Sequence, residues 1–170
     1  SRLLDWSDRS TCVLFGDAAG AVVLGEGNDL LSIKIAASGN LDTLRIPVQQ
    51  APNPFCEDEV PDSKLYMKGT EVYKFAVTAS CKDLKAVIKE AGVTQADIDH
   101  VLLHQANLRI IEAAINHLKI PQERYAVNIQ NTGNTSASSI IIIMDQMNRQ
   151  GKLKAGELLA MSAFGAGLTT

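Results

Sequence analysis

His104 in "LLHQANLRII" and Asn134 in "NTGNTSASS" are side chains of types that stabilise negative charge. An imidazole donates or accepts hydrogen bonds near neutral pH. His104 stands where an apolar run ends and a segment with helical spacing begins, a junction that can aim a ring into a cleft. A hydrogen-bonded structural histidine would fit the same position. His100 falls on the same strand face and raises the question of a metal. No H-E-x-x-H, third histidine at ligand spacing or suitably placed carboxylate accompanies the pair, so no metal site is expected. Around Asn134, Gly133 permits a positive φ, while Thr135, Ser136 and Ser138 add side-chain dipoles ahead of a helix. Those residues could cap the helix, or the Asn amide could hold a developing oxyanion with help from the helix N-terminus. "AFGAGL" places Gly165 and Gly167 where backbone N–H groups could approach a ligand, and a tight turn needs the same glycines. Arg9, Lys68, Lys74 and Arg109 are scattered cations that matter only if the fold gathers them on one rim. Neither a G-x-S-x-G elbow nor a Cys or Ser in a nucleophile-like turn is present, and no phosphate-loop motif occurs. The sequence offers charge-stabilising donors without a nucleophile.

The elements that must position these groups alternate between strand and helix. "TCVLFGDAAGAVVLGEG" predicts strands near 11–15 and 20–25, and "LLSIKIAASG" a third. Residues 40–66 hold four of the five prolines and predict a long surface excursion. "GTEVYKFAVTASCKDLKAVIKEAGV" repeats apolar residues at three- and four-residue steps and predicts a helix stopped by Gly92. Thr94 to Asp97 has the form of a helix start, "HVLLH" that of a buried strand, and Leu108 to Leu118 that of a second helix, stopped by Pro121. "RYAVNI" predicts a strand, "IIIIMDQM" a buried helix and "ELLAMSAF" a final strand. Strands alternating with helices give an α/β layered domain.

Composition narrows the class. The 170 residues fit one domain, at 46% hydrophobic and 21% charged. A net charge of −3 argues against a nucleic-acid surface. No segment has the roughly 18 uninterrupted apolar residues of a membrane span, and the first ten residues lack the apolar stretch of a secretory signal. Cys12, Cys56 and Cys81 are odd in number and lack C-x-x-C spacing. Free, buried thiols in a reducing compartment are expected, hence a cytoplasmic protein.

"DRSTCVLFGDAAGAVVL", "MKGTEVYKFAV", "LLHQANLRII", "NTGNTSASS" and "AFGAGLT" occur in the order found in β-ketoacyl-acyl-carrier-protein synthase III, and the chain resembles that family from residue 1 to about 169. These are the initiating condensing enzymes of type II fatty-acid synthesis. Their thiolase-like fold packs two similar α/β halves, and the chain resembles the C-terminal half only. The resemblance therefore implies that residues 1–170 are a C-terminal thiolase-like domain with helices on a mixed β-sheet. It also implies that the nucleophilic cysteine lies in an N-terminal half absent from these residues, since none of the three cysteines has the matching context.

The resemblance further implies a decarboxylative Claisen condensation, in which an acyl group from acyl-CoA passes to cysteine and malonyl-acyl-carrier protein then adds to it. His104 and Asn134 match the family's enolate-stabilising pair. Ala166 matches the residue whose backbone N–H serves the thioester oxyanion hole, and Phe164 an aromatic wall of the site. Arg9 matches the arginine that stacks on the CoA adenine; Leu14, Gly69, Tyr73, Ala106 and Asn107 match positions lining the pantetheine channel. Arg109 and Lys74 match basic residues that receive the acyl-carrier protein. No bound cofactor is implied, because acyl-CoA is a substrate, and a homodimer of the whole enzyme is expected. The chain departs from the family at Ala18, where G-D-G-A-G-A has glycine, and at Thr170, where Trp-Gly follows the matched threonine. A polyketide starter relative, or a non-catalytic module that binds carrier protein or CoA, would share many of these residues.

Overall fold

The longest run of apolar residues at three- and four-residue spacing becomes the longest helix. In the computed structural model, which describes residues 2–46 and 64–170, α1 spans Gly69–Glu90 and buries Val72, Ala76, Ala79, Cys81 and Leu84 along one stripe. Gly92, at φ +73°, ends it in a left-handed turn that suits glycine. Two short strands precede α1: β1 (Leu44–Arg45) pairs antiparallel with β2 (Tyr66–Met67). The connection between them, residues 47–63, carries most of the predicted excursion and lies outside the described residues, as does Cys56.

After α1, a capping box at Thr94 and Asp97 starts a single 3₁₀ turn, Gln95–Asp97, rather than a full helix. The turn leads into β3 (His100–Leu103), which pairs in parallel with β4 (Leu159–Ser162). Successive β3 side chains point to opposite faces. Val101 and Leu103 pack with Leu84, Ile111, Ile115 and Leu118 from α1 and α2 (Leu108–Leu118), whereas Leu102 packs with Ile143 and Met147 of α4 (Ser139–Arg149). The sheet is thus covered on both faces, and His104 emerges from its end between the two helical layers. α3 (Ile129–Thr132) is one turn that leads to Asn134. The helices predicted from "GTEVYKFAVTASCKDLKAVIKEAGV", from Leu108 to Leu118 and from "IIIIMDQM" are all present, over Gly69–Glu90, Leu108–Leu118 and Ser139–Arg149.

Four predicted strands differ. At 11–15, the Asp8 carboxylate accepts the Thr11 hydroxyl at 2.7 Å and the Asp8 carbonyl accepts the Cys12 N–H at 3.0 Å. These bonds wind the segment into turns, leaving one parallel bridge from Phe15 to Asn134. Residues 20–25 form no strand and expose Val23 and Leu24 almost fully, because no neighbouring strand among the described residues pairs with them. For "LLSIKIAASG", pairing is confined to Ala36–Asn40, which exchanges antiparallel hydrogen bonds with residues 167–170. "RYAVNI" is not a ladder either: Tyr125 makes one parallel bridge to Val101 and the backbone then diverges. Its alternation is still real, for Tyr125 and Val127 pack on the α1–α2 side and Ala126 on the α4 side.

Candidate active site

His104 is fixed at both levels. Its backbone N–H donates to the Ser162 carbonyl at 2.9 Å, so β4 holds the end of β3 in register. Its ring is 8% exposed and packs edge-on against Phe164, with centroids 5.1 Å apart. Phe75 meets the same phenylalanine edge-on at 6.3 Å. Burial pushes the His104 imidazole down to about 4, because charging it would require desolvating a cation. The ring is therefore neutral at pH 7. Its Nδ1 lies 2.6 Å from the Ser139 hydroxyl at the start of α4, which leaves Nε2 for the cavity that His104 lines.

Asn134 reaches the same cavity from the other layer. Its backbone N–H donates to the Leu14 carbonyl and its carbonyl accepts from the Gly16 N–H, both at 2.9 Å. Gly16 is required by that approach, since a Cβ there would meet the Thr132 carbonyl oxygen. Within the side chain, Oδ1 accepts the Ser136 N–H at 2.9 Å, so the amide nitrogen remains as a donor. With its hydrogen on Nε2, His104 can donate into the same cavity as the Asn134 Nδ2–H, and such a pair can hold an oxyanion.

The cavity has a volume of about 540 Å³. It brings together most of the residues singled out from sequence. His104, Asn134, Phe164 and Ala166 line it, and so do Leu14, Gly69, Tyr73, Ala106, Asn107 and Arg109. Among the described residues nothing within the chain accepts the Ala166 N–H. Asn107 caps α2 by accepting the Arg109 N–H at 2.9 Å, and the Arg109 guanidinium lies 6.0 Å from the Tyr73 ring centroid. Arg9 and Lys74 are not among the lining residues; Arg9 is exposed, and Lys74 pairs with Glu71 at 3.1 Å on the outer face of α1. Leu44, Ile46 and Leu65, which the motifs did not mark, join Met67 in an apolar wall beside β1 and β2.

Ser139 and Gln105 also escaped the sequence reading. Gln105 is fully buried; its Nε2 donates to the Leu103 carbonyl at 2.8 Å and its Oε1 accepts the Asn128 N–H at 3.1 Å. It thereby ties the loop after His104 to the segment that leads to Asn134. The signal for both residues was a polar side chain beside buried apolar neighbours, which a partner can satisfy only in the folded state. Cys12 and Cys81 are free and buried, as expected, and neither lines the cavity. Burial pushes the Cys81 thiol up, the opposite of an activated nucleophile. Among the described residues no group of three His, Cys, Asp or Glu is placed to hold a metal, and no helix is long and apolar enough to cross a membrane.

The chain folds as an α/β domain of the thiolase-like class, like the solved structures it superposes on. Its C-terminal part, residues 88–170, matches the family model for the 3-oxoacyl-[acyl-carrier-protein] synthase III C terminal, and residues 1–39 match the model for 3-oxoacyl-[acyl-carrier-protein] synthase III. The chain belongs to the 3-oxoacyl-[acyl-carrier-protein] synthase III family. It is 42% identical to the β-ketoacyl-[acyl-carrier-protein] synthase III of Clostridium acetobutylicum over 99% of this chain and 53% of that protein. The Synechocystis protein of the same name is 44% identical, with the same coverages. The crystal structure of the Aquifex aeolicus 3-oxoacyl-[acyl-carrier-protein] synthase III superposes with a TM-score of 0.87 at 41% identity, covering 99% of this chain and 52% of that one. A priming β-ketosynthase from the R1128 polyketide pathway superposes with a TM-score of 0.78 at 29% identity, covering 98% of this chain and 51% of that one. The chain spans about half the length of the relatives it matches.

Proposed function

We propose that the chain is the C-terminal half of a 3-oxoacyl-[acyl-carrier-protein] synthase III and supplies the charge-stabilising side of its active site. The observation that carries this reading is a neutral His104 and an Asn134 amide lining one cavity. The cysteine belongs to the N-terminal half of the enzyme. An acyl group passes from acyl-CoA to that cysteine, and malonyl-acyl-carrier protein then enters. Loss of CO₂ leaves the electron pair of the broken C–C bond as an enolate on the thioester. His104 Nε2–H and Asn134 Nδ2–H donate to its oxygen. The enolate carbon forms a bond to the acyl carbonyl, whose oxyanion is held by the Ala166 N–H, and the cysteine thiolate leaves. A neutral histidine suits this step, because an imidazolium at the same site would acidify the pocket and protonate the carbanion.

The same reading gives the rest of the cavity its tasks. Phe164 walls the reacting centre. Leu14, Gly69, Tyr73, Ala106 and Asn107 line the pantetheine channel, Arg9 contacts the adenine, and Arg109 with Lys74 receives the acidic carrier protein. The exposed Val22, Val23, Leu24, Leu30, Leu31, Ile33 and Ile35 suit burial against the sister half and within a homodimer, since apolar side chains left in water are costly. Free thiols fit a cytoplasmic enzyme. A polyketide-priming role is the second reading, favoured by the likeness to the R1128 ketosynthase, whose 29% identity to this chain is lower than the 41% of the Aquifex aeolicus enzyme. A primer panel separates the two.

The decisive experiment places His104→Ala in the complete enzyme and follows the half-reactions separately. Malonyl decarboxylation is expected to fall by about 10²–10³, while acylation of the cysteine by acyl-CoA persists. Equal loss of both half-reactions would show that His104 does not act on the enolate.

A further inference from the structure

We propose that Ser139 is a positioning residue that selects the tautomer of His104 and so holds the ring hydrogen on Nε2, toward the cavity. The inference rests on the proposed function only for its effect on turnover; the tautomer itself follows from geometry. A neutral imidazole carries one N–H and one bare nitrogen. With Nδ1 only 2.6 Å from the Ser139 Oγ, two arrangements fit that contact: Nδ1–H donating to the hydroxyl, or the hydroxyl donating to Nδ1. A third group decides between them. The Gln105 backbone N–H, a donor only, lies 3.2 Å from the same oxygen. Ser139 is 2% exposed, and among the described residues its hydroxyl touches no further acceptor. Were Nδ1 protonated, the hydroxyl would receive two hydrogen bonds and its own hydrogen would be buried without a partner. With Nδ1 bare, the chain Gln105 N–H to Oγ, then Oγ–H to Nδ1, satisfies every group. An orphaned buried hydroxyl hydrogen disfavours the first arrangement on the order of tenfold to a hundredfold.

The placement also joins the two halves of the donor pair. Ser139 opens α4, five residues after Asn134, so the helix that follows one donor fixes the proton position of the other. Gln105, whose N–H orients the hydroxyl, has its side chain held between Leu103 and Asn128, which keeps that N–H aimed.

The test uses nitrogen-15 labelled histidine and two-dimensional NMR of the ring nitrogens, on the full chain, at neutral pH. In the wild type the His104 signals are expected to show protonated Nε2 and bare Nδ1; a protonated Nδ1 overturns the proposal outright. In Ser139→Ala the populations should move toward the Nδ1–H form by about tenfold or more, and an unchanged pure Nε2–H ring also overturns it. Ser139→Cys, close in size with a weaker donor, should fall between; it replaces the alanine variant if that variant fails to give a native amide spectrum. In the complete enzyme, Ser139→Ala should lower the rate of malonyl decarboxylation in proportion to the lost Nε2–H population, with cysteine acylation unchanged. A tautomer that shifts while decarboxylation does not would leave the role of Ser139 standing and refute the enolate role of His104.

Discussion

Acid should weaken this protein through His104, and the size of the effect follows from its burial. The folded ring is pushed down to about 4, against 6.5 for an ordinary histidine, by desolvation at a site 8% exposed. Between those values the unfolded chain binds a proton that the folded chain refuses. The stabilising contribution is therefore fully present above the unfolded value, is lost as pH falls toward about 4, and changes no further below it. A full proton difference is worth about 1.4 kcal/mol per pH unit, so the whole window removes about 3 kcal/mol. His104→Gln abolishes the titration while keeping a polar group of similar reach. Urea unfolding of both proteins at about pH 7 and about pH 5 isolates the effect, because the carboxylates and the other histidines titrate alike in each and cancel in the difference. Wild type is expected to lose about 2 kcal/mol more than the variant between those two conditions. Parallel pH dependences, or a His104 ring that titrates near 6.5 by NMR, would refute the argument that desolvation controls this group.

Two further outcomes follow from the geometry. Gly16→Ala drives a methyl against the Thr132 carbonyl oxygen and should cost about 1–3 kcal/mol in denaturant unfolding, with a displaced Asn134 seen as lost decarboxylation in the complete enzyme. Arg109→Ala removes an exposed cation at the cavity edge, so use of carrier protein should weaken mainly at low salt, measured as kcat/KM against ionic strength; a salt-independent defect points to a structural fault instead.

Periodicity and motif spacing determined a good part of this protein. The apolar steps of residues 69–90 and 108–118 specify helices because each stripe can bury only on a 3.6-residue period, and both formed with their stops at Gly92 and just past Leu118. The order of H-Q-A-N-x-R, G-N-T-S and the glycine-rich turn indicated the family and the His104–Asn134 pair. The tertiary structure decided what depends on partners distant in sequence. Strand formation at 20–25 and 124–129 required a neighbouring ladder that alternation cannot specify, and the extended segments instead make single bridges or none. Arg9 and Lys74 match rim positions by motif, and both are exposed side chains outside the cavity lining, whose meeting with a ligand or partner depends on more than the motif. Gln105 and Ser139 fall inside the H-Q-A-N-x-R and NTGNTSASS motifs, but nothing in the sequence gives either a task. Only the packing of β3 against α4 brings the Ser139 hydroxyl to the His104 ring, and that contact turns a histidine of either tautomer into a donor aimed at the cavity.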